Sequence, residues 1–136
     1  MFSYDYQLRI RYADTDQMGF VYYGNYASFY EIGRVESLRS LGLSYSELEA
    51  TGVIMPVLEC YSKFIRPALY DQLITIRTII KELPSSRIYF EYEIYNEAEE
   101  LINIGKTTLV FVDQKTKKPC VPPHEIMDAL KPHLEV

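Results

Sequence analysis

The segment from Arg87 to Tyr95, RIYFEYEIY, alternates without a break. Ile88, Phe90, Tyr92 and Ile94 fall on one side; Arg87, Tyr89, Glu91, Glu93 and Tyr95 fall on the other. A period of two predicts a strand with one dry face and one wet face. A helix would scatter the same residues around its axis. The chain must therefore supply a second layer to cover the apolar face. The run from about Asn25 to Leu41 fits that need. Tyr26, Phe29, Tyr30, Gly33, Ser37 and Leu41 recur at helical spacing, and Ile32, Val35 and Leu38 broaden the stripe. The small residues Gly33 and Ser37 let such a helix sit close to a sheet. Asn25 is placed to cap it and Gly42 to stop it.

Further strands are predicted at Tyr4 to Tyr12, Val57 to Ile65, Leu73 to Lys81 and Leu101 to Val112, the last with a bulge at Gly105. Polar turns stand at Pro84–Ser85–Ser86 and from Asn96 to Glu100, and a polar loop runs from Ala13 to Gly24. Ser44 to Ala50 reads as one or two helical turns with Ser46 and Glu49 as a capping box. A short helix is expected around Glu125 to Leu130. Consecutive strands with short turns predict a meander. One long helix against a curved antiparallel sheet of about five strands is an α+β arrangement. We read residues 1–136 as one domain. A sheet edge left open tends to be paired, which favours a homo-oligomer with a continuous sheet.

Composition narrows the function. Apolar residues make up 48% and charged residues 24%, as in ordinary globular chains. The net charge of -5 gives no sign of the basic face that nucleic acid requires. No apolar run is long enough to span a membrane. The N-terminus, MFSYDYQLRIRY, lacks a basic region followed by an apolar stretch, and Cys60 and Cys120 make no disulfide framework. The expected location is the cytoplasm. Tyrosine is abundant, with 13 Tyr against 6 Phe, which suits half-buried sheet faces, tunnels and interfaces. The only histidines, His124 and His133, lie in the tail with no metal-ligand spacing around them, so no metal is expected. There is no GxSxG elbow, P-loop or GxGxxG. A hydrolase built from this chain would have to use carboxylates and backbone donors.

The stretch from Arg11 to Arg39, RYADTDQMGFVYYGNYASFYEIGRVESLR, carries a D-x-D-x-x-G run, an apolar pair, aromatic residues, N-Y and a helix. It resembles the 4-hydroxybenzoyl-CoA thioesterase-like branch of the hotdog-fold acyl-CoA thioesterases. The FIRPALYD stretch from Phe64 and the strand from Gly105 to Val112 are similar to later parts of that family. The resemblance implies a hotdog fold and hydrolysis of an acyl-CoA to a carboxylic acid and free CoA, with no cofactor beyond the CoA of the substrate. It implies Asp16 as the catalytic carboxylate, Gly19 as the residue that turns the loop, and Tyr23 as the helix-start residue whose backbone N–H faces the thioester carbonyl. Many bacterial members carry His where Tyr23 stands; the Tyr leans toward the hydroxybenzoyl-CoA-like subgroup, and a backbone donor does not need the imidazole.

A helix N-terminus leaves N–H groups without internal partners at its positive end. Aimed at a carbonyl oxygen, they stabilise the charge of a tetrahedral intermediate. The same end should keep Asp16 ionised, either to attack the thioester or to activate water. An Asp ahead of a helix is more often a cap or turn former, a role that suits Asp14. Glu31, farther along the helix, is a reserve carboxylate, or a rim charge paired with Arg34. For the CoA moiety the resemblance implies Ser85, Ser86 and Arg87; Arg66 and Lys106 are further candidates. Tyr22 and Tyr26 are placed to line an acyl pocket. Two alternatives stay open: hydrolysis of acyl groups on acyl carrier protein, and non-catalytic binding of acyl-CoA on the same fold.

Overall fold

The computed structural model describes residues 1–134. The strands are β1 (Phe2–Arg9), β2 (Val53–Ile54), β3 (Val57–Phe64), β4 (Leu73–Ile80), β5 (Arg87–Tyr95), β6 (Leu101–Val110) and β7 (Val112–Asp113). The helices are α1 (Tyr26–Ser40), α2 (Tyr45–Ala50) and α3 (His124–Leu134). Five strands form one antiparallel sheet in the order β1-β4-β5-β6-β3, and β2 pairs with β7 beside it. The long helix α1 lies over β1, β4 and β5. This is the α+β arrangement expected of one curved sheet around one helix.

The alternation of β5 is realised residue by residue. Ile88, Phe90, Tyr92 and Ile94 are almost completely buried under α1, beside Ile74, Ile76 and Ile80 of β4. On α1 the buried stripe is Tyr26, Phe29, Tyr30, Gly33, Arg34, Ser37 and Leu38. The helix approaches the sheet at Gly33. A methyl there would stand 2.5 Å from Thr78 Oγ1 and 2.9 Å from Ile76 Cγ2, closer than atoms pack. Its end follows the expected chemistry: Gly42 takes φ 83°, and the Leu43 N–H reaches back to the Leu38 carbonyl at 3.0 Å.

Several expectations are corrected. The sheet is a meander only through β4, β5 and β6. The 65–72 link carries the chain around, so β3 pairs with the far side of β6 and β1 pairs with β4. β1 stops at Arg9, and Tyr12–Asp14 forms a 3-10 turn closed by the Asp14 carboxylate on the Arg11 N–H (2.8 Å). Gly105 is in register with Ser62 and Tyr92 and forms no bulge; a Cβ there would collide with the Tyr30 ring. α2 is capped by Ser44, whose Oγ accepts the Glu47 N–H at 3.2 Å, and not by Ser46. The last strand ends at Val110, before a break and β7.

Candidate active site

The loop between β1 and α1 folds as a small hairpin. Thr15 and Val21 form a bridge, the Asp16 N–H donates to the Phe20 carbonyl (2.8 Å), and the Gly19 N–H donates to the Asp16 carbonyl (3.0 Å). Gly19 takes φ 80°, the left-handed step that closes a three-residue hairpin loop. Asp16 Oδ1 accepts the Met18 N–H at 2.9 Å, an Asx turn that explains a carboxylate at this position. The turn uses one oxygen only. Among the described residues Oδ2 has no hydrogen-bond partner, and the side chain is half-buried.

The approach to α1 is held by Asp14. Its carbonyl accepts both the Tyr22 N–H and Asn25 Nδ2, each at 2.8 Å. Asn25 therefore clamps the loop to the helix instead of capping it, a correction to the sequence reading. A 3-10 turn, Tyr23–Asn25, runs directly into α1. The Asn25 and Tyr26 N–H groups bond inside it, to the carbonyls of Tyr22 and Tyr23. The N–H groups of Tyr23 and Gly24 find no protein acceptor among the described residues. They are the free donors that a helix start leaves over.

These pieces meet in a cleft of about 320 Å³. One wall is Asp16, Met18, Phe20, Val21, Tyr23 and Tyr26; the other is Phe64, Ile65, Arg66 and Pro67. The walls are fixed to each other by the Val21 N–H on the Ala68 carbonyl (2.8 Å) and by the bridge between Phe20 and Leu69. Tyr26 packs edge-on to Phe64 with ring centroids 5.0 Å apart. Burial raises the pKa of its phenol, which keeps it neutral. The cleft thus brings together one carboxylate, one guanidinium and Tyr23, whose amide is unpaired, among apolar walls. That set can hold a polarised carbonyl and attack it, or have water attack it.

Of the residues singled out from sequence, Asp16, Tyr23, Tyr26 and Arg66 come together here. Arg66 also pairs with Glu100 at 3.6 Å. Gly19 shapes the hairpin without lining the cleft. Tyr22 lies outside it, its ring 4.8 Å from that of Tyr23 and folded over Gly24. Ser85, Ser86 and Arg87 are exposed at the opposite end of the sheet: Arg87 pairs with Val110, whereas Phe64 of the cleft pairs with Asn103. Lys106 sits mid-sheet on the outer face, in a groove with Glu59, Tyr61 and Lys63. Glu31 is exposed, outside the cleft, and makes no ion pair with Arg34. Arg34 is instead buried at 6% exposure, with Nη1 on Tyr92 Oη (3.2 Å) and Nε on Tyr45 Oη (3.4 Å). Sequence reasoning missed the apolar lining, Met18, Phe20, Ile65 and Pro67. Its one signal was their place in the two motif stretches.

Comparison with known proteins gives concordant results. A profile of the thioesterase-like superfamily matches residues 10–130. The acyl-CoA thioester hydrolase YbgC of Escherichia coli is 32% identical over 124 residues, covering 91% of this chain and 92% of its own. The crystal structure of DHNA-CoA thioesterase from Staphylococcus aureus is similar at a TM-score of 0.85 and 31% identity, covering 98% of this chain and 84% of that one. A hypothetical protein of Thermus thermophilus reaches a TM-score of 0.89 at 33% identity, covering 98% and 100%. The sheet-and-helix architecture is the hotdog fold of these thioesterases.

Proposed function

The chain belongs to the thioesterase-like superfamily, and from that premise we propose that it hydrolyses acyl-CoA thioesters, with Asp16 as the reacting carboxylate and the Tyr23 N–H as oxyanion donor. The observation that carries this reading is the pairing in one cleft of a carboxylate with a spare oxygen and a helix-start amide with no acceptor. The thioester carbonyl oxygen would accept the Tyr23 N–H. A donor of this kind is worth roughly 3 kcal/mol once charge develops on the oxygen.

Two routes use this geometry. In one, Asp16 takes a proton from water as the water oxygen adds to the carbonyl carbon. In the other, Asp16 adds directly and gives an anhydride that water then cleaves. In both, the carbon–sulfur bond breaks and CoA leaves as a thiolate that takes up a proton. Neutral Tyr26, with Phe20 and Phe64, gives the acyl group an apolar surface. Arg66 stands at the mouth, suited to a phosphate of CoA.

The reading includes a homodimer. β3 is a sheet edge on which every residue except Ser62 is exposed. Pairing it antiparallel with its own copy across a two-fold axis removes the edge. The operation also sets the Val57 end of one β3 beside the Phe64 end of the other. The partner subunit's Arg87, level with that Val57 end, then approaches the cleft. Ser85, Ser86 and Arg87 would thus serve the nucleotide of a substrate bound to the opposite protomer. Higher assembly through the outer face, where Lys106 lies, would give a tetramer. With no helix long and apolar enough to cross a membrane among the described residues, the proposed setting is the cytoplasm.

A panel of short-chain, long-chain and aromatic CoA esters, assayed by release of free thiol, tests the activity. Turnover of at least one class is expected. Cleavage of acyl carrier protein substrates alone would move the assignment to the carrier. Binding of CoA esters with no turnover would make the chain a binding module.

A further inference from the structure

Among the described residues Arg34 is the one guanidinium of the core, and no charge meets it. Two tyrosine hydroxyls occupy Nη1 and Nε; Nη2 has no hydrogen bond among the described residues. No carboxylate lies within 4.0 Å of it among them. A buried cation is costly unless a charge meets it. Arg34 nevertheless reaches a groove of about 340 Å³ between α1 and β3, lined by Ala27, Ser28, Glu31, Val57, Cys60 and Thr107. Glu31 is in the same groove, exposed and likewise without an ion pair. The two stand three residues apart on one helix face, where an (i, i+3) pair is ordinary, yet they do not meet.

Cys60 is at the middle of β3 (Val57–Phe64). A two-fold axis that pairs the two β3 strands over their full length passes through that middle and brings the two grooves face to face. The axis also lays the two α1 helices antiparallel. Ala27 and Ser28 have small side chains and allow close approach. On antiparallel helices related by a two-fold between positions 31 and 34, residue 31 of each faces residue 34 of the other.

We propose that Glu31 of each protomer supplies the missing carboxylate to the partner subunit's Arg34, forming two reciprocal ion pairs at the centre of the dimer. The pair rests on the dimer of the preceding subsection and extends it by naming what closes the interface. The partner surface is a second copy of this chain, recognised by self-complementary charge. Nη1 and Nε are held by the tyrosines, so the carboxylate meets the free Nη2 in a charge-assisted hydrogen bond. Each pair is removed from water by the closed interface, so loss of one member leaves the other unpaired.

The test is the dimer dissociation constant by sedimentation, at fixed salt, on the full chain. Glu31→Lys, a change at an exposed position, sets two cations together at each pair and is expected to weaken the dimer by about tenfold or more. Adding Arg34→Gln to it removes one cation of each pair and with it the repulsion, and is expected to restore part of the affinity. Far-ultraviolet circular dichroism confirms that each variant is folded. A Glu31→Lys protein that dimerises as tightly as wild type overturns the ion pair and leaves the dimer standing. A wild-type chain that is monomeric at micromolar concentration overturns both. Neither outcome touches the Asp16 chemistry, because turnover of CoA esters is measured separately.

Discussion

β5 and β3 flank the same strand, β6, and both pair with it antiparallel along most of their length. Their burial is opposite. β5 alternates between exposed or half-buried and fully buried positions, whereas β3 exposes all but Ser62. Val57, Leu58, Tyr61 and Phe64 are each about half exposed. Hydrogen bonding therefore does not decide which strand belongs to the core; cover does. α1 lies over β1, β4 and β5 and touches β3 only through a few side chains, such as Tyr30 on Ser62 and Tyr26 on Phe64. The covered half holds the fold together, and the uncovered half, with the cleft at its Phe64 end, is where ligand and second copy are offered apolar surface.

The contrast can be broken by mutation. Phe90, 1% exposed on β5, is expected to cost about 3–5 kcal/mol on truncation to Ala, read as a fall in the urea midpoint. Gly105→Ala drives a methyl against the Tyr30 ring and is expected to cost about 1–3 kcal/mol in the same assay. Alkaline pH should act on the same place. The Tyr30 hydroxyl bonds Ser62 and Asn103, and its pKa is pushed up to about 12, chiefly by burial. The unfolded chain ionises near pH 10, whereas the folded phenol holds its proton. Stability is therefore complete below pH 10 and falls as pH rises from there through about 12. Tyr30→Phe should flatten that decline. The smallest stability effect belongs to the open half: Met18, 71% exposed on the cleft wall, should shift unfolding by no more than about 0.5 kcal/mol when changed to Ala, while KM for acyl-CoA rises.

The covered half was the legible half. The period of two in β5 and the helical period in α1 stood in the sequence because one face of each is dry. β3 has no dry face within one chain, and the meander expectation failed there. Its residues, VLECYSKF, carry no alternation that could say which strand it joins. The Asp16 loop was legible through its motif, and Gly19 through the hairpin it closes. Asn25 was misread because a cap and a clamp need the same side chain; only the Asp14 carbonyl decides between them. Nothing local in the sequence marks Arg34 for burial. Its tyrosine partners lie 11 and 58 residues away in sequence.

The reacting carboxylate is tested most directly by Asp16→Asn, which preserves the side-chain oxygen that accepts the Met18 N–H and removes the charge. Turnover of the best CoA ester and equilibrium binding of the same ester are measured side by side. The expected result is a fall in kcat of about 10²–10⁴-fold with binding retained. Unchanged turnover in a folded Asp16→Asn protein would contradict it and move the chemistry to another group.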